Sequence, residues 1–253
     1  MPDIRTATRP AKKPRIPPAV ARGDHNGSNT RSAILEAAVH HFAAFGYEGA
    51  HIRKMLADIG QNLSLAHYYF GSKEALYEAA VRHYCGGVLA VRREGLIAWQ
   101  QQTSGRPEDR LCDLFQAYVE PHMHVAMGPG GHDYARLMQR AHSDPSPHGG
   151  ELLKDVMSVR SDYMTALHQL VPATESGLLT RSMDSLVSIM LAESIEQSSQ
   201  NGRRKVETAT ATARFVARFS AGGLLHVIGD GASPPRAAQA ARRPLKPAGS
   251  RSA

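Results

Sequence analysis

Gly46, Gly60 and Gly71 divide residues 30–71 into one longer and two short helical stretches. Ile34, Leu35, Ala38, Phe42 and Phe45 recur at helical spacing, which predicts a helix over Thr30–Phe45 that stops at Gly46. Short helices are expected over Ala50–Asp58 and Asn62–Phe70, with Gly60 in the turn between them. Two short helices joined by a tight turn behind a longer one form a helix-turn-helix. In that arrangement the second helix of the pair enters the DNA major groove. Asn62 suits the N-cap of that recognition helix. Residues three or four apart share a helix face, so Ser64, His67 and Tyr68 point outward together while Ala66 and Phe70 face the first helix. Hydroxyl and imidazole groups can donate to phosphates, and Ser64 can reach a base edge. Lys73 opens the next helix, where its ammonium and the first backbone N–H groups can clamp a phosphate.

The rest of the chain also reads as helix. Ser72 suits the N-cap of a long helix expected from Lys73 to about Gln101, with Glu74 near its positive end. Pro107, followed by Glu108 and Asp109, opens a helix expected to run to about Pro121. A further helix fits Asp133–His142, a Pro/Gly loop fits Ser143–Gly150, and longer helices fit about 151–170, 176–200 and 203–227. No stretch alternates apolar and polar residues with hairpin turn chemistry, so the expected fold class is all-α.

The chain of 253 residues has a net charge of +7, which by itself suggests nucleic acid. The position of the charge narrows that claim. Residues 1–29 hold six basic and two acidic residues, and residues 229–253 hold five basic and one acidic. The middle holds 19 basic and 20 acidic residues, so the two ends carry all of the excess. The ends also hold nine of the 15 prolines. Both are read as basic Pro-rich disordered arms, 1–29 and 229–253, around a DNA-binding domain at 30–78 and a helical domain at 79–228.

Cys85 and Cys112 form no C-x-x-C pair, and Pro, Lys and Arg occupy the first segment where a secretory signal needs an apolar core. The longest nearly apolar stretch, Ala221–Gly229, is far short of the ~20 residues of a bilayer span. A cytoplasmic location with no membrane partner is expected. Phosphate-binding, dinucleotide, nucleophile-elbow and H-E-x-x-H motifs are absent, so no enzyme, catalytic residue or cofactor is expected. His122, His124, His132, His142 and His148 cluster without a carboxylate or Cys at ligand spacing. They are read as surface or pocket histidines, with no metal site.

Residues Thr30–Tyr77 resemble the DNA-binding domain of TetR-type transcriptional regulators. Ile34 to Gly46 keeps the spacing of that family's Ile-Leu-x-Ala-Ala-x-x-x-Phe-x-x-x-Gly helix. Met55–Gln61 stands at its Ile-Ala-x-x-Ala-Gly-Val turn, and His67–Leu76 at its Tyr-x-His-Phe-x-Ser-Lys-x-x-Leu block. Asn62–Leu65 and Gly71–Glu74 are similar to a subgroup with an Asn-Leu-Ala-Leu recognition helix, whose C-terminal Leu-x-x-Arg-Glu-x-x-x-Pro-Ser-Pro is echoed by Leu137–Pro147.

The resemblance implies DNA contacts by Arg53, Asn62, Ser64, Leu65, His67, Tyr68, Tyr69 and Lys73. It implies a homodimer that binds a palindromic double-stranded operator, most often as a repressor, and answers a small-molecule effector of unknown identity. Phe115, Tyr118, Met138 and Tyr163 are candidates to line the effector pocket. The apolar stripes of the last two helices, including Phe215 and Phe219, fit a dimer interface as well as a core. Ala50-His51 replaces the family's usual Thr-Ser, and Leu56, Ile59 and Gln61 replace its small turn residues and valine. His67 and Tyr69 stand where Tyr and His are usual. These departures motivate a rival reading: a helical dimer that binds a ligand or protein and has lost operator recognition.

Overall fold

A computed structural model describes residues 26–143, 150–199 and 208–231. The described residues form α1 (Asn26–Gly49), α2 (Ile52–Asp58), α3 (Leu63–Phe70), α4 (Lys73–Gln101), α5 (Pro107–Ala126), α6 (Gly131–Ser143), α7 (Gly150–Leu170), α8 (Ser176–Ser199) and α9 (Ala209–Gly231). The all-α class is as expected, and no strand occurs among the described residues. The tail residues 1–25 and 232–253 lie outside them, as do 144–149, which include Pro145 and Pro147, and 200–207.

The clearest differences from the sequence reading lie in α1, α5 and α9. α1 starts at Asn26, so helix takes in the last residues of the segment read as an arm. α9 is described from Ala209, since residues 203–207 of the expected helix lie outside the described residues, and it extends to Gly231, past the expected boundary at 228. α5 continues through Pro121 to Ala126. Proline removes one helical hydrogen bond and costs about 3 kcal/mol in a helix interior. Here Val119, Pro121, His122, Met123 and Ala126 are all buried, so tertiary packing outweighs that local cost.

Inside α1, Gly46 has φ +71°, a left-handed conformation that breaks the helix after Phe45. The chain then turns so that Tyr47 packs back on Phe42 and Tyr77, with ring centroids 6.3 and 5.3 Å apart. α4 ties the two parts of the molecule together. Its Leu76, Tyr77, Ala80 and Val81 are buried among the first helices, and Cys85, Val88, Leu89, Arg92, Leu96 and Trp99 continue the same stripe into the C-terminal bundle. α5 lies at the bundle centre, against α4, α8 and α9. α6 packs on both α8 and α1. One continuous apolar core therefore runs from Ile34 to Leu224.

Burial also fixes the state of His122, which is 2% exposed. Desolvation, reinforced by the Arg92 charge, drives its imidazole down to about 3. The unfolded chain takes up this proton near pH 6.5, while the folded chain stays neutral until about pH 3. His122 therefore makes stability fall as pH drops from about 6.5 towards 3, by on the order of 1 kcal/mol per pH unit. Urea unfolding between pH 6 and 4 should give a slope shallower by one proton in His122→Gln than in the parent chain.

Candidate nucleic-acid interface

The helix-turn-helix is held from inside by Met55 and Leu56, both fully buried against α1. Gly60, at φ +66°, makes the turn, and Gln61 N donates to Leu56 O at 2.8 Å. Nothing crowds a Cβ at Gly60, so its requirement is the left-handed backbone alone. Ile59 is half-buried against the core, and Gln61 is half-buried. The large turn residues that depart from the resembled pattern are thus packed rather than displaced. His51, the N-cap of α2, makes no side-chain cap bond, as the loss of a hydroxyl there implies.

Asn62 caps α3 by accepting from Leu65 N at 3.0 Å, and Ser72 caps α4 by accepting from Ala75 N at 3.1 Å. Ala66 of α3 is buried, and Phe70 lies under the Arg31 guanidinium at 5.1 Å. Ser64, His67 and Tyr68 form the exposed face, with Tyr68 80% exposed. Leu65 and Tyr69 sit lower, half-buried against the core, and the Tyr69 ring meets Tyr68 edge-on at 5.1 Å. Arg53 of α2 is exposed. The expected residues of α3 therefore lie at two depths.

Besides Asn62, two of the expected contact residues are already engaged. His67 Nδ1–H donates to Gly71 O at 2.7 Å, which closes the C-terminus of α3. In the neutral ring this leaves Nε2 as an acceptor, suited to a base amino group rather than to phosphate. Lys73 Nζ lies 4.7 Å over the Tyr47 ring and donates to Glu48 O at 3.4 Å. Tyr47 in turn donates to Glu74 Oε1 at 2.7 Å. The ammonium is thus steadied at the start of α4, with hydrogens left for a ligand.

The C-terminal candidates are core residues. Phe115, Tyr118 and Tyr163 are buried and Met138 is half-buried. Tyr118 and Tyr163 meet edge-on at 5.0 Å beside Arg92, and Met138 touches Cys85 two turns earlier on α4. Burial pushes the Cys85 thiol up to about 11, so it is an inert packing thiol.

The residues that sequence reasoning missed join the two domains. Arg140 of α6 donates from Nε to Ala43 O and from Nη2 to Ala44 O, each at 2.8 Å, and so caps the last carbonyls of α1 before the break at Gly46. On the same helix, Asp133 accepts from His40 Nδ1 at 3.0 Å. No local pattern pairs residues nearly a hundred positions apart. Charged bonds of this kind contribute about 1.5–3 kcal/mol each, and less where water reaches them. Arg140→Met should cost about 1–3 kcal/mol in urea unfolding. Arg140→Lys should restore only part of it, because an ammonium cannot fork across two carbonyls.

Known proteins match both parts. Residues 34–80 match the family model described as bacterial regulatory proteins, tetR family. Residues 116–223 match the one described as tetracyclin repressor-like, C-terminal domain, so the two together cover more than half of the chain. The chain belongs to the TetR family. Two curated relatives are 41% identical over 80 residues, both named HTH-type transcriptional repressor AcnR, from Corynebacterium glutamicum and Corynebacterium efficiens. That match takes in 31% of this chain and 42% of each relative, so the chain spans less than half the length of the relatives it matches. The ketosteroid transcriptional regulator KstR2 of Mycobacterium tuberculosis shares the fold of this TetR-family chain, with a TM-score of 0.53 at 16% identity. That likeness covers 77% of this chain and 94% of KstR2.

Proposed function

We propose that this TetR-family chain is a cytoplasmic, ligand-responsive transcriptional repressor, not an enzyme, that binds a palindromic operator as a homodimer. The observation that carries the reading is the capped α3 with Ser64, His67 and Tyr68 on its open face, together with an exposed Arg53 on α2 and the steadied Lys73. The two curated relatives, named as repressors, support the sign of regulation. No helix among the described residues is long and apolar enough to cross a membrane.

Base contacts would come from Ser64, His67 and Tyr68, with Leu65 and Tyr69 supporting that face. Arg53, Asn62 and Lys73 would position it on phosphates. Residues 30–80 hold four Lys or Arg against five acidic residues, so phosphate attraction rests on these few donors and on helix ends. A randomised-site selection with the purified dimer at low salt tests the reading. Enrichment of a palindrome with half-sites about 34 Å apart, or a multiple of that, is expected. No enriched palindrome would favour the rival helical dimer without operator recognition. Lys73→Ala should weaken binding to operator and unrelated DNA alike and make the salt slope shallower by about 1. Equal slopes for parent and variant would remove Lys73 from the phosphate contacts.

The second copy would dock on α9. Its buried side carries Val216, Ala217, Ala221 and Leu224, while Phe215 and Phe219 on the other side are 54% and 62% exposed. Exposed Gly222 and Gly223 leave room for a close helix approach. The effector signal would travel through α6, which packs on α8 and grips α1 through Arg140 and Asp133. A ligand that prefers one position of α6 would shift the spacing of the two recognition helices by population shift.

A further inference from the structure

Arg92 is a buried cation with no anionic partner among the described residues. It is 6% exposed at the centre of the C-terminal bundle. Its Nε donates to Tyr118 O at 2.8 Å, its Nη2 faces Met190 Sδ at 3.5 Å, and Cζ lies 3.8 Å over the Tyr118 ring. These contacts use two of the five guanidinium N–H groups, one of them on a thioether, which is a weak acceptor. Among the described residues no Asp or Glu pairs with it. A guanidinium withdrawn from water costs far more than one carbonyl bond and a ring face return.

A second unspent group lies close by. His122 stands one helical turn after Tyr118, and its Nδ1 is 2.8 Å from Tyr134 Oη. Its Nε2 is buried and makes no hydrogen bond among the described residues. Burial holds the Tyr134 phenol far above its ordinary range, so its hydroxyl keeps its proton. With that hydroxyl donating to Nδ1, the His122 proton sits on Nε2 as an unused donor. The walls around the two groups are the rings of Tyr118, Tyr134 and Tyr163 and the thioether of Met190. The Met190 side chain is flexible and can move aside at small cost to admit a ligand body.

We infer that Arg92 and His122 form the head-group site for an acidic small molecule, a monocarboxylate with an aromatic or alkyl body. The inference rests on the ligand-responsive reading of the C-terminal domain and gives that ligand its chemical class. A guanidinium fork matches the two oxygens of a carboxylate, and the His122 Nε2–H adds a third donor. The count of charges selects the class. His122 is neutral and, among the described residues, Arg92 is the one charged side chain at the site, so a monoanion is balanced there while a phosphate dianion is not. The apolar walls take the body of the ligand. Tyr134 and Met138 lie on α6 between Asp133 and Arg140, so the head-group site and the contacts to α1 share one helix.

Calorimetric titration of the full-length chain, without DNA, with benzoate, phenylacetate and octanoate beside the corresponding amides tests this. At least one carboxylate should bind saturably and at least about tenfold more tightly than its amide, because the neutral amide leaves the guanidinium unbalanced. That preference should collapse to about one in Arg92→Met. Arg92→Gln, which keeps a donor for Tyr118 O, serves if the methionine variant does not fold. No saturable carboxylate, equal binding of acid and amide, or a preference that survives at position 92 overturns the inference. The DNA selection is run without ligand, so the two readings fail separately. A selected palindrome without carboxylate binding removes this site alone, and carboxylate binding without a palindrome removes operator recognition alone.

Discussion

Leu56→Ala should lower the stability of the helix-turn-helix by about 2–5 kcal/mol, the cost of emptying a fully enclosed leucine site. The prediction runs against the family pattern, in which alanine is usual at this position of the turn. In this chain Leu56 is fully buried, and its carbonyl accepts from Gln61 N at 2.8 Å to close the turn before α3. With Met55 beside it, Leu56 anchors a helix of 7 residues that has no side-chain N-cap. A helix that short gets little from its own hydrogen bonds, so its stability comes from what it buries. Urea unfolding followed by circular dichroism measures the loss. A change below about 0.5 kcal/mol would mean that the turn can collapse onto the smaller side chain. The same variant should bind DNA normally at low temperature, where the domain stays folded, because Leu56 is not on the exposed face.

The double substitution Phe215→Asp/Phe219→Asp should leave a folded monomer of 27.4 kDa and cut operator affinity by about a hundredfold or more. The Phe215 and Phe219 rings lie tilted 6.1 Å apart on the open side of α9 and are more than half exposed, so aspartates there meet water in the single chain. In a paired chain four carboxylates would be forced together in a desolvated interface. A monomer reads one half-site and loses the second set of phosphate and base contacts. Sedimentation velocity gives the mass, and a salt titration of operator binding gives the affinity. A variant that remains dimeric would place the interface on another face and turn attention to α8.

Much of the candidate interface was legible in the sequence because its determinants are local. Gly46, Gly60 and Gly71 needed backbone conformations that a side chain disfavours, and all three have positive φ. Asn62 and Ser72 are caps by side-chain chemistry three residues before the amide that they hold. The facing of Ser64, His67 and Tyr68 follows from 3.6 residues per turn. Periodicity could not distinguish Phe215 and Phe219 from the core, since a helix face of apolar residues looks the same whether the covering helix belongs to the same chain or to another. Pro121 misled for the opposite reason. Its local signal was strong, and the burial that overrode it is a property of five helices together.

Arg92 marks the limit most sharply. Read locally, Arg92-Arg93-Glu94 is a solvated stretch of a long helix. Its spacing from Val88, Leu89, Leu96 and Trp99 puts it on the buried stripe, but spacing does not say whether a long side chain escapes to water or stays inside. By itself, the sequence determined the helices, their caps and breaks, and the face of α3, because each depends on residues within a turn or two. Only the tertiary structure decided that Arg140 of α6 holds the end of α1, that Arg92 is enclosed with no carboxylate partner among the described residues, and that Phe215 and Phe219 are left exposed. Those outcomes depend on which distant helices exclude water from a side chain, and burial by a remote element leaves no mark on the neighbouring residues.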